Sequence, residues 1–591
     1  MQLNGKRKAI QKSELGKLVS SKSSINTLIK NEVFEQYEKT VDRLNDRYDL
    51  PIESYELSEE QELVKQKIEQ EWANKRVALL HGVTSSGKTQ IYIELIKNVI
   101  ADGKQQALFL LPEIALTGQM INRLRKVFGK DVGIYHSKFN PQERIEIWQK
   151  TLTNQYKVII GARSSLFLPF QNLKLIIVDE EHDNSYKQHD PAPRYNARDA
   201  AIWYAHSWDA KVILGSATPS MESYFNGQNG KYQLLNLSER YGGVQAPEIE
   251  LVNLKMETRN KRMKSHFSQT LLDEIKATLD KDEQVILFKN RRGYSPYLMC
   301  GNCSHIPMCN RCDVSLTYHK YINILKCHYC GYQVKQKACT ECSENEWTLQ
   351  GFGTEKIEDE LKILFPEARM QRMDLETTRS KTGYLNIIKQ FEDKEVDILI
   401  GTQMVTKGLD FGDVGLVGVL SADQLMFYPD FRALERAFQL LLQVAGRAGR
   451  RQKRGKVLIQ TSMPKHPIFN EIQGQNYFAF YQTELAERGA YSYPPYSRMI
   501  KITLKHRDQN LVNKAGFYLV KQLGKELHAH VLGPTTPAVS KIRDFHIRDI
   551  VVKFAKSKML ENGKVYLSEQ LAELKLKPDF KGIVISLNVD A

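Results

Sequence analysis

Short apolar runs recur along this chain, each bounded by polar or glycine-containing sequence. Continuous apolar runs suit strands buried on both faces of a parallel sheet, whereas half-exposed strands alternate apolar and polar positions. One series comprises "VALLHG" (77–82), "QALFLLP" (106–112), "KVIIG" (157–161), the run Leu175 to Val178 within "LKLIIVDEEH", and "KVILGS" (211–216). A second comprises "QVILFKN" (284–290), "DILIGT" (397–402), "LVGVLSAD" (416–423) and "GKVLIQT" (455–461). Helical or polar sequence follows each strand, so the pattern predicts two α/β lobes. The stretch 230–248, "GKYQLLNLSERYGGVQAPE", reads as a linker between them, and residues 1–50 hold two amphipathic helical patterns.

Composition narrows the class. The 591 residues are 42% hydrophobic and carry a formal charge of +15, which stays strongly positive even if eight thiolates bind two Zn²⁺. A basic chain of this size points to a polyanionic partner, nucleic acid above all. No apolar run approaches a membrane span and the start lacks the apolar core of a secretory signal, so the chain is expected to be soluble, intracellular and cytoplasmic.

All 8 cysteines lie between Cys300 and Cys342, as four CxxC units: Cys300/Cys303, Cys309/Cys312, Cys327/Cys330 and Cys339/Cys342. In a reducing compartment such units bind metal, two turns completing a tetrahedral zinc site. The short gap from Cys303 to Cys309 is tight for one ion, while that from Cys312 to Cys327 resembles a zinc ribbon. The expected pairing is nested: Cys300, Cys303, Cys339 and Cys342 hold one zinc, Cys309, Cys312, Cys327 and Cys330 the other. An interleaved pairing is the alternative. Eight thiolates suffice for two closed sites, so His305, His319 and His328 are not expected to be ligands.

"GVTSSGKT", Gly82 to Thr89, fits the phosphate-binding loop GxxxxGK[ST] between a strand and a helix. Its amides, with Gly82 and Gly87, would cradle phosphates; Lys88 would reach the β- and γ-phosphates and Thr89 would bind Mg²⁺. "LKLIIVDEEH" delivers Asp179 and Glu180 at a strand's C-terminal end, Asp179 to hold Mg²⁺ and Glu180 to activate the attacking water. Read as helix, "QVAGRAGR" places Gln443, Arg447 and Arg450 on one face, where they could reach across a cleft to the γ-phosphate of ATP.

These motifs, in this order, resemble superfamily 2 nucleic-acid helicases, and within them the primosomal helicases of replication restart. The resemblance is carried by "GVTSSGKT" (82–89), "LLPEIALT" (110–117), "GARSSLFLPF" (161–170), "DEEHDNSYKQHDPAPRYNARD" (179–199), "GSATPS" (215–220), "NRRGY" (290–294), the eight cysteines, "GFGTE" (351–355), "GTQMVTKGLDF" (401–411), "YPDFRALER" (428–436) and "QVAGRAGR" (443–450). It implies two RecA-like lobes, 51–229 and 230–470, with a two-zinc insertion at 299–347. It also implies a winged-helix-like DNA-binding domain at 1–50 and an α+β domain at 471–591. Gln61 is implied to contact adenine, and Thr402 to bind DNA. Two residues depart from the family pattern: Ser85 stands where glycine is usual and Leu409 where histidine is usual. The family's small first domain, which binds the 3′ end of the nascent leading strand, is expected to be absent, because winged-helix-like sequence begins almost at Met1.

"DNSYKQHDPAPRYNARD" resembles the family's aromatic-rich loop. Tyr186 and Tyr195 are expected to stack on unpaired bases, and Lys187, Arg194 and Arg198 to meet phosphates. In 541–553, Lys541, Arg543 and Arg548 form a basic stretch suited to DNA, an acidic protein tail or solvent. The expected activity is an ATP-driven 3′→5′ DNA helicase at stalled forks. Its implied partners are forked and single-stranded DNA, single-stranded DNA-binding protein, other primosome proteins and a replicative-helicase loader. The alternatives are a duplex translocase that does not separate strands and a zinc-containing DNA-binding scaffold; the scaffold is disfavoured because Lys88, Glu180 and Arg450 are all present.

Overall fold

A computed structural model describes residues 22–31, 33–34, 56–112, 118–136, 139–243, 245–290, 297–303, 305–319, 323–335, 338–350, 354–374, 377–378, 381–406, 411–427, 430–449, 454–527, 530–555 and 559–590. Met1–Arg47 forms one compact unit and Tyr48–Ala591 another. Of the first, the helix Lys22–Lys30 is described, with Ile25 buried; the rest of the expected winged-helix-like domain lies outside the described residues.

The first lobe is a seven-stranded parallel sheet, built from β1 (Val77–Gly82), β2 (Gln106–Leu110), β3 (Val132–Tyr135), β4 (Val158–Gly161), β5 (Leu173–Asp179), β6 (Lys211–Ser216) and β7 (Gln233–Leu237). Their order across the sheet is β3-β4-β2-β5-β6-β1-β7. Every residue of β2 and of β4 is buried, as continuous apolar runs require. β6 separates β1 from β5, so the phosphate loop and the Asp179–Glu180 pair emerge at the same sheet edge with "GSATPS" between them. The stretch 230–248 is not wholly a linker: its first part is β7, paired with β1 at the sheet's edge. Its alternating burial, with Asn236 exposed between buried Leu235 and Leu237, is what disguised it.

The second lobe is a six-stranded parallel sheet. Its order is Met370–Met373, Ile398–Gly401, Gln284–Phe288, Val414–Val419, Lys456–Thr461, Glu248–Asn253. Between the strand Gln284–Phe288 and the helix Thr354–Leu364 the chain leaves the lobe to form the cysteine module. The module's stem is an antiparallel pair, Tyr297–Cys300 with Trp347–Gln350, and its body a three-stranded sheet, Thr317–His319, Ile324–Lys326 and Gln333–Lys335. Last comes an antiparallel five-stranded sheet, packed against the helices Gln509–Leu527 and Met559–Leu576 through Ile502, Leu504, Leu519, Leu523, Ile550 and Leu574. The expected α/β motor with an inserted two-site zinc module and an α+β C-terminal domain is therefore the observed architecture.

Candidate nucleotide, nucleic-acid and zinc sites

The phosphate loop is shaped by two left-handed residues. Gly87 (φ 78°) caps the helix Lys88–Ile100, and Ser85 (φ 63°) occupies a conformation that glycine adopts without cost. The Ser85 departure is therefore a strained position rather than a lost contact. Lys88 Nζ donates to the Gly82 carbonyl at 2.7 Å, folding over the loop it is expected to serve. Gln61 is 1% exposed. Its carboxamide nitrogen donates to the Ser86 carbonyl at 2.9 Å, and its oxygen accepts from the Ser58 amide at 3.0 Å, closing a capping box. Gln61 thus braces the loop from below.

Asp179 ends β5 beside this loop. Burial, and then the neighbouring Glu180 carboxylate, push its carboxyl up to about 7, while Lys88 and the Tyr92 hydroxyl pull the other way. Glu180 turns the chain at φ 48°, a costly conformation for a side-chain-bearing residue. A carboxylate and the Lys88 ammonium beside the phosphate loop fit a nucleotide with its Mg²⁺, hard oxygen ligands being what that ion takes.

The next residues tie this corner to "GSATPS". Glu181 is 1% exposed and accepts from the Ser220 amide at 2.6 Å, the Ser223 hydroxyl at 2.8 Å and Arg198 Nη1 at 3.0 Å. The His182 ring nitrogen Nδ1 lies 2.7 Å from the Ser216 hydroxyl. Sequence reasoning missed Glu181, His182 and Tyr92. The first two sit inside a quoted motif, and their partners lie one strand away in another.

The second lobe meets the first at the loop itself. A Cβ on Gly446 would lie 2.9 Å from Thr84 Cγ2, so a side chain at 446 would push Thr84 aside. Arg240 donates to the Thr84 hydroxyl at 3.1 Å, and the Tyr241 amide to the Ser85 carbonyl at 2.9 Å. Gln443 lines a cleft shared with His182, Asp183 and Asn290. The expected helix through "QVAGRAGR" is corrected: it stops at Ala445, Gly446 caps it and Gly449 turns at φ 65°. Gln443 and Arg447 therefore do not share a helical face. Arg447 is 8% exposed, and Arg450, like Leu409, lies outside the described residues.

Two expected DNA contacts are also corrected. Tyr186 is 1% exposed and its hydroxyl donates to the Asp179 carbonyl at 2.6 Å and the Leu110 carbonyl at 3.0 Å, so its ring cannot stack on a base here. Arg198, 8% exposed, pairs with Glu181 and with Asp199 at 2.8 Å; it is a structural cation, not a phosphate contact. Lys187 and Arg194 do lie together. Lys187 Nζ donates to the Val589 carbonyl at 2.6 Å and Arg194 Nη1 to the Leu587 carbonyl at 3.2 Å, both on the edge strand Val584–Val589. Tyr195 packs edge-on against Phe167, their ring centroids 5.2 Å apart. Thr402 is 7% exposed at the end of the strand Ile398–Gly401.

The cysteines gather as two sets: Cys300, Cys303, Cys339 and Cys342, and Cys309, Cys312, Cys327 and Cys330, the sulfurs of each set lying within 4.8 Å of one another. Several pairs are 3.5 Å apart, near the edge of about 3.8 Å expected around a tetrahedral zinc. The nested pairing holds and the interleaved one is excluded. His319 and His328 face each other, ring centroids 5.3 Å apart, outside both sets. The second site has an outer partner: the hairpin at 541–546 of the C-terminal sheet, whose Arg543 amide donates to Cys312 Sγ at 3.2 Å. Arg543 and Asp544 occupy the hairpin's left-handed turn, at φ 51° and 67°. Asp544 pairs with Arg311 at 2.9 Å. Arg543 Nε also donates to the Tyr329 carbonyl at 3.1 Å.

Comparison with known proteins agrees with this geometry. Residues 59–225 match the DEAD/DEAH box helicase family and 348–452 the helicase conserved C-terminal domain. Residues 309–335 match the PriA DNA helicase Cys-rich region, and 489–590 the primosomal protein N C-terminal domain. The replication restart protein PriA of Bacillus subtilis is 40% identical over 580 residues, covering 97% of this chain and 71% of that one. PriA of Chlamydia pneumoniae is 40% identical, covering 85% and 67%. PriA of Haemophilus influenzae is 42% identical, covering 79% and 63%.

Proposed function

The chain belongs to the PriA family of replication-restart DNA helicases, and on that premise we propose that it couples ATP hydrolysis in the cleft between its lobes to 3′→5′ unwinding at stalled forks. The observation that carries this reading is the approach of Gly446 to Thr84, which sets the second lobe directly on the phosphate loop of the first. Mg²⁺ at Thr89 and Asp179 would offset phosphate charge. Lys88 moves from the Gly82 carbonyl to the β- and γ-phosphates. Glu180 takes the proton of the attacking water. Arg447 and Arg450 stabilise charge developing on the γ-phosphate, and Gln443 contributes from the same segment. Gln61 meets adenine with the second N–H of the carboxamide that holds the Ser86 carbonyl.

DNA contacts fall to Lys187, Arg194, Tyr195 and Thr402. The domain reading is 1–50 winged-helix-like, 51–229 extended through β7 for the first lobe, then the second lobe to 470 with its insertion at 299–347, and 471–591 C-terminal. Single-stranded DNA-binding protein, other primosome proteins and a replicative-helicase loader are the proposed protein partners, and the cytoplasm the proposed location. Among the described residues no helix is long and apolar enough to cross a membrane.

Strand displacement on a fork, measured beside DNA-stimulated ATP hydrolysis, tests the reading. Hydrolysis and displacement together support it. Vigorous stimulated hydrolysis without displacement would make the chain a duplex translocase.

A further inference from the structure

Tyr92 lies one helical turn beyond Lys88 on the helix that leaves the phosphate loop, and its side chain is fully buried. Its hydroxyl donates to Asp179 Oδ1 at 3.0 Å. The ring is fixed edge-on against Phe109, the centroids 5.6 Å apart. The strand between the loop and Asp179 makes room for this contact. Gly215 of β6 is the register partner of Asp179, and a Cβ there would fall 1.6 Å from the Tyr92 hydroxyl and 3.2 Å from Asp179 Oδ1. Any other residue at 215 would close the gap that the hydroxyl crosses.

A buried phenol must place its O–H somewhere, and a carbonyl would satisfy it. Tyr186 does this nearby, donating to two main-chain carbonyls. Tyr92 instead takes a side-chain oxygen of the one carboxylate read as a Mg²⁺ ligand. Hydrogen bonds that hold a ligating carboxylate fix its rotamer and tune its affinity for the ion. We propose that Tyr92 is a positioning residue of the hydrolysis site, orienting Asp179 for Mg²⁺ in the space that Gly215 leaves open. The inference rests on the reading of Asp179 as a Mg²⁺ ligand.

Tyr92→Phe keeps the ring and removes only the donor. Its test is binding, without turnover, of a fluorescent non-hydrolysable ATP analogue titrated with Mg²⁺. The metal-free affinity should stay within about twofold of the parent, which also reports an intact fold. The Mg²⁺ concentration giving half of the metal-dependent gain in affinity should rise about tenfold or more, in keeping with the loss on removing an outer partner of a metal ligand. An unchanged Mg²⁺ midpoint overturns the proposal. So does a fall in metal-free affinity as large as the fall with metal, because that is a general loosening. Asp179→Asn, titrated in the same way, separates the two layers. If it shifts the midpoint and Tyr92→Phe does not, the positioning role alone fails. If neither shifts it, the reading of Asp179 fails and takes the proposal with it.

Discussion

Arg488 donates to Glu435 at 2.7 Å where only 2% and 5% of the two side chains are exposed. Arg488, on the helix Tyr477–Ala490, also reaches Glu484 at 2.9 Å and Glu222 at 3.5 Å. Glu435 belongs to the second lobe, and its other oxygen accepts from the amide of Met221 in the first, at 2.9 Å. One cation therefore joins both lobes and the segment leading to the C-terminal domain. Removing Arg488 would leave Glu222, Glu435 and Glu484 with Arg432 as the remaining cation of the cluster, an imbalance of buried charge that costs about 3–5 kcal/mol. Arg488→Ala should show that loss in denaturant unfolding. A change under about 1 kcal/mol would mean that Arg432, 2.7 Å from Glu222 and 3.6 Å from Glu435, compensates these carboxylates without Arg488.

Glu180→Gln should bind ATP as the parent does and lose nearly all turnover, because only the proton acceptor is removed. Lys88→Ala should weaken nucleotide binding as well. Equilibrium binding alongside steady-state hydrolysis separates the two. Turnover of Glu180→Gln near the parent rate would move the base elsewhere.

Cys327→Ser should leave about one zinc per chain by metal analysis, since the two clusters share no cysteine. DNA-stimulated hydrolysis should survive largely, because the residues assigned to the ATP site all lie outside 300–342, while unwinding falls severalfold. Equal loss of both activities in a folded protein that retains its other zinc would refute that division.

Tyr186→Phe should lower stability by about 1–3 kcal/mol, the cost of stranding buried polar groups. Affinity for single-stranded DNA should change by less than twofold. A tenfold loss of affinity at unchanged stability would show that the ring reaches bases after all.

The strands that give a helicase motor its form were legible because they are continuous apolar runs. "KVILGS" maps onto β6 residue for residue, and "QALFLLP" onto all of β2. β3, β7, Glu248–Asn253 and Met370–Met373 escaped, being short, alternating or only partly apolar. Metal pairing was legible from spacing, because a CxxC turn is a local object. The roles of Tyr186 and Arg198 were not. A tyrosine and an arginine in a polar loop look alike whether they meet DNA or the buried partners that the fold supplies, and those partners are set by strand order. The end of the helix at Ala445 was visible only in part: a lone glycine is tolerated in a helix, and Gly446, which caps this one, looks no different in sequence from a glycine within a helix.

The hairpin at 541–546 is far from the cysteines in sequence, yet it bonds to Cys312, Tyr329 and Arg311. The zinc module is rooted in the second lobe by its stem. It therefore acts as a strut whose near end rides on the motor and whose far end grips the last domain. Any rotation of the second lobe against the C-terminal sheet must therefore either carry the hairpin with it or break its bonds to Cys312, Tyr329 and Arg311.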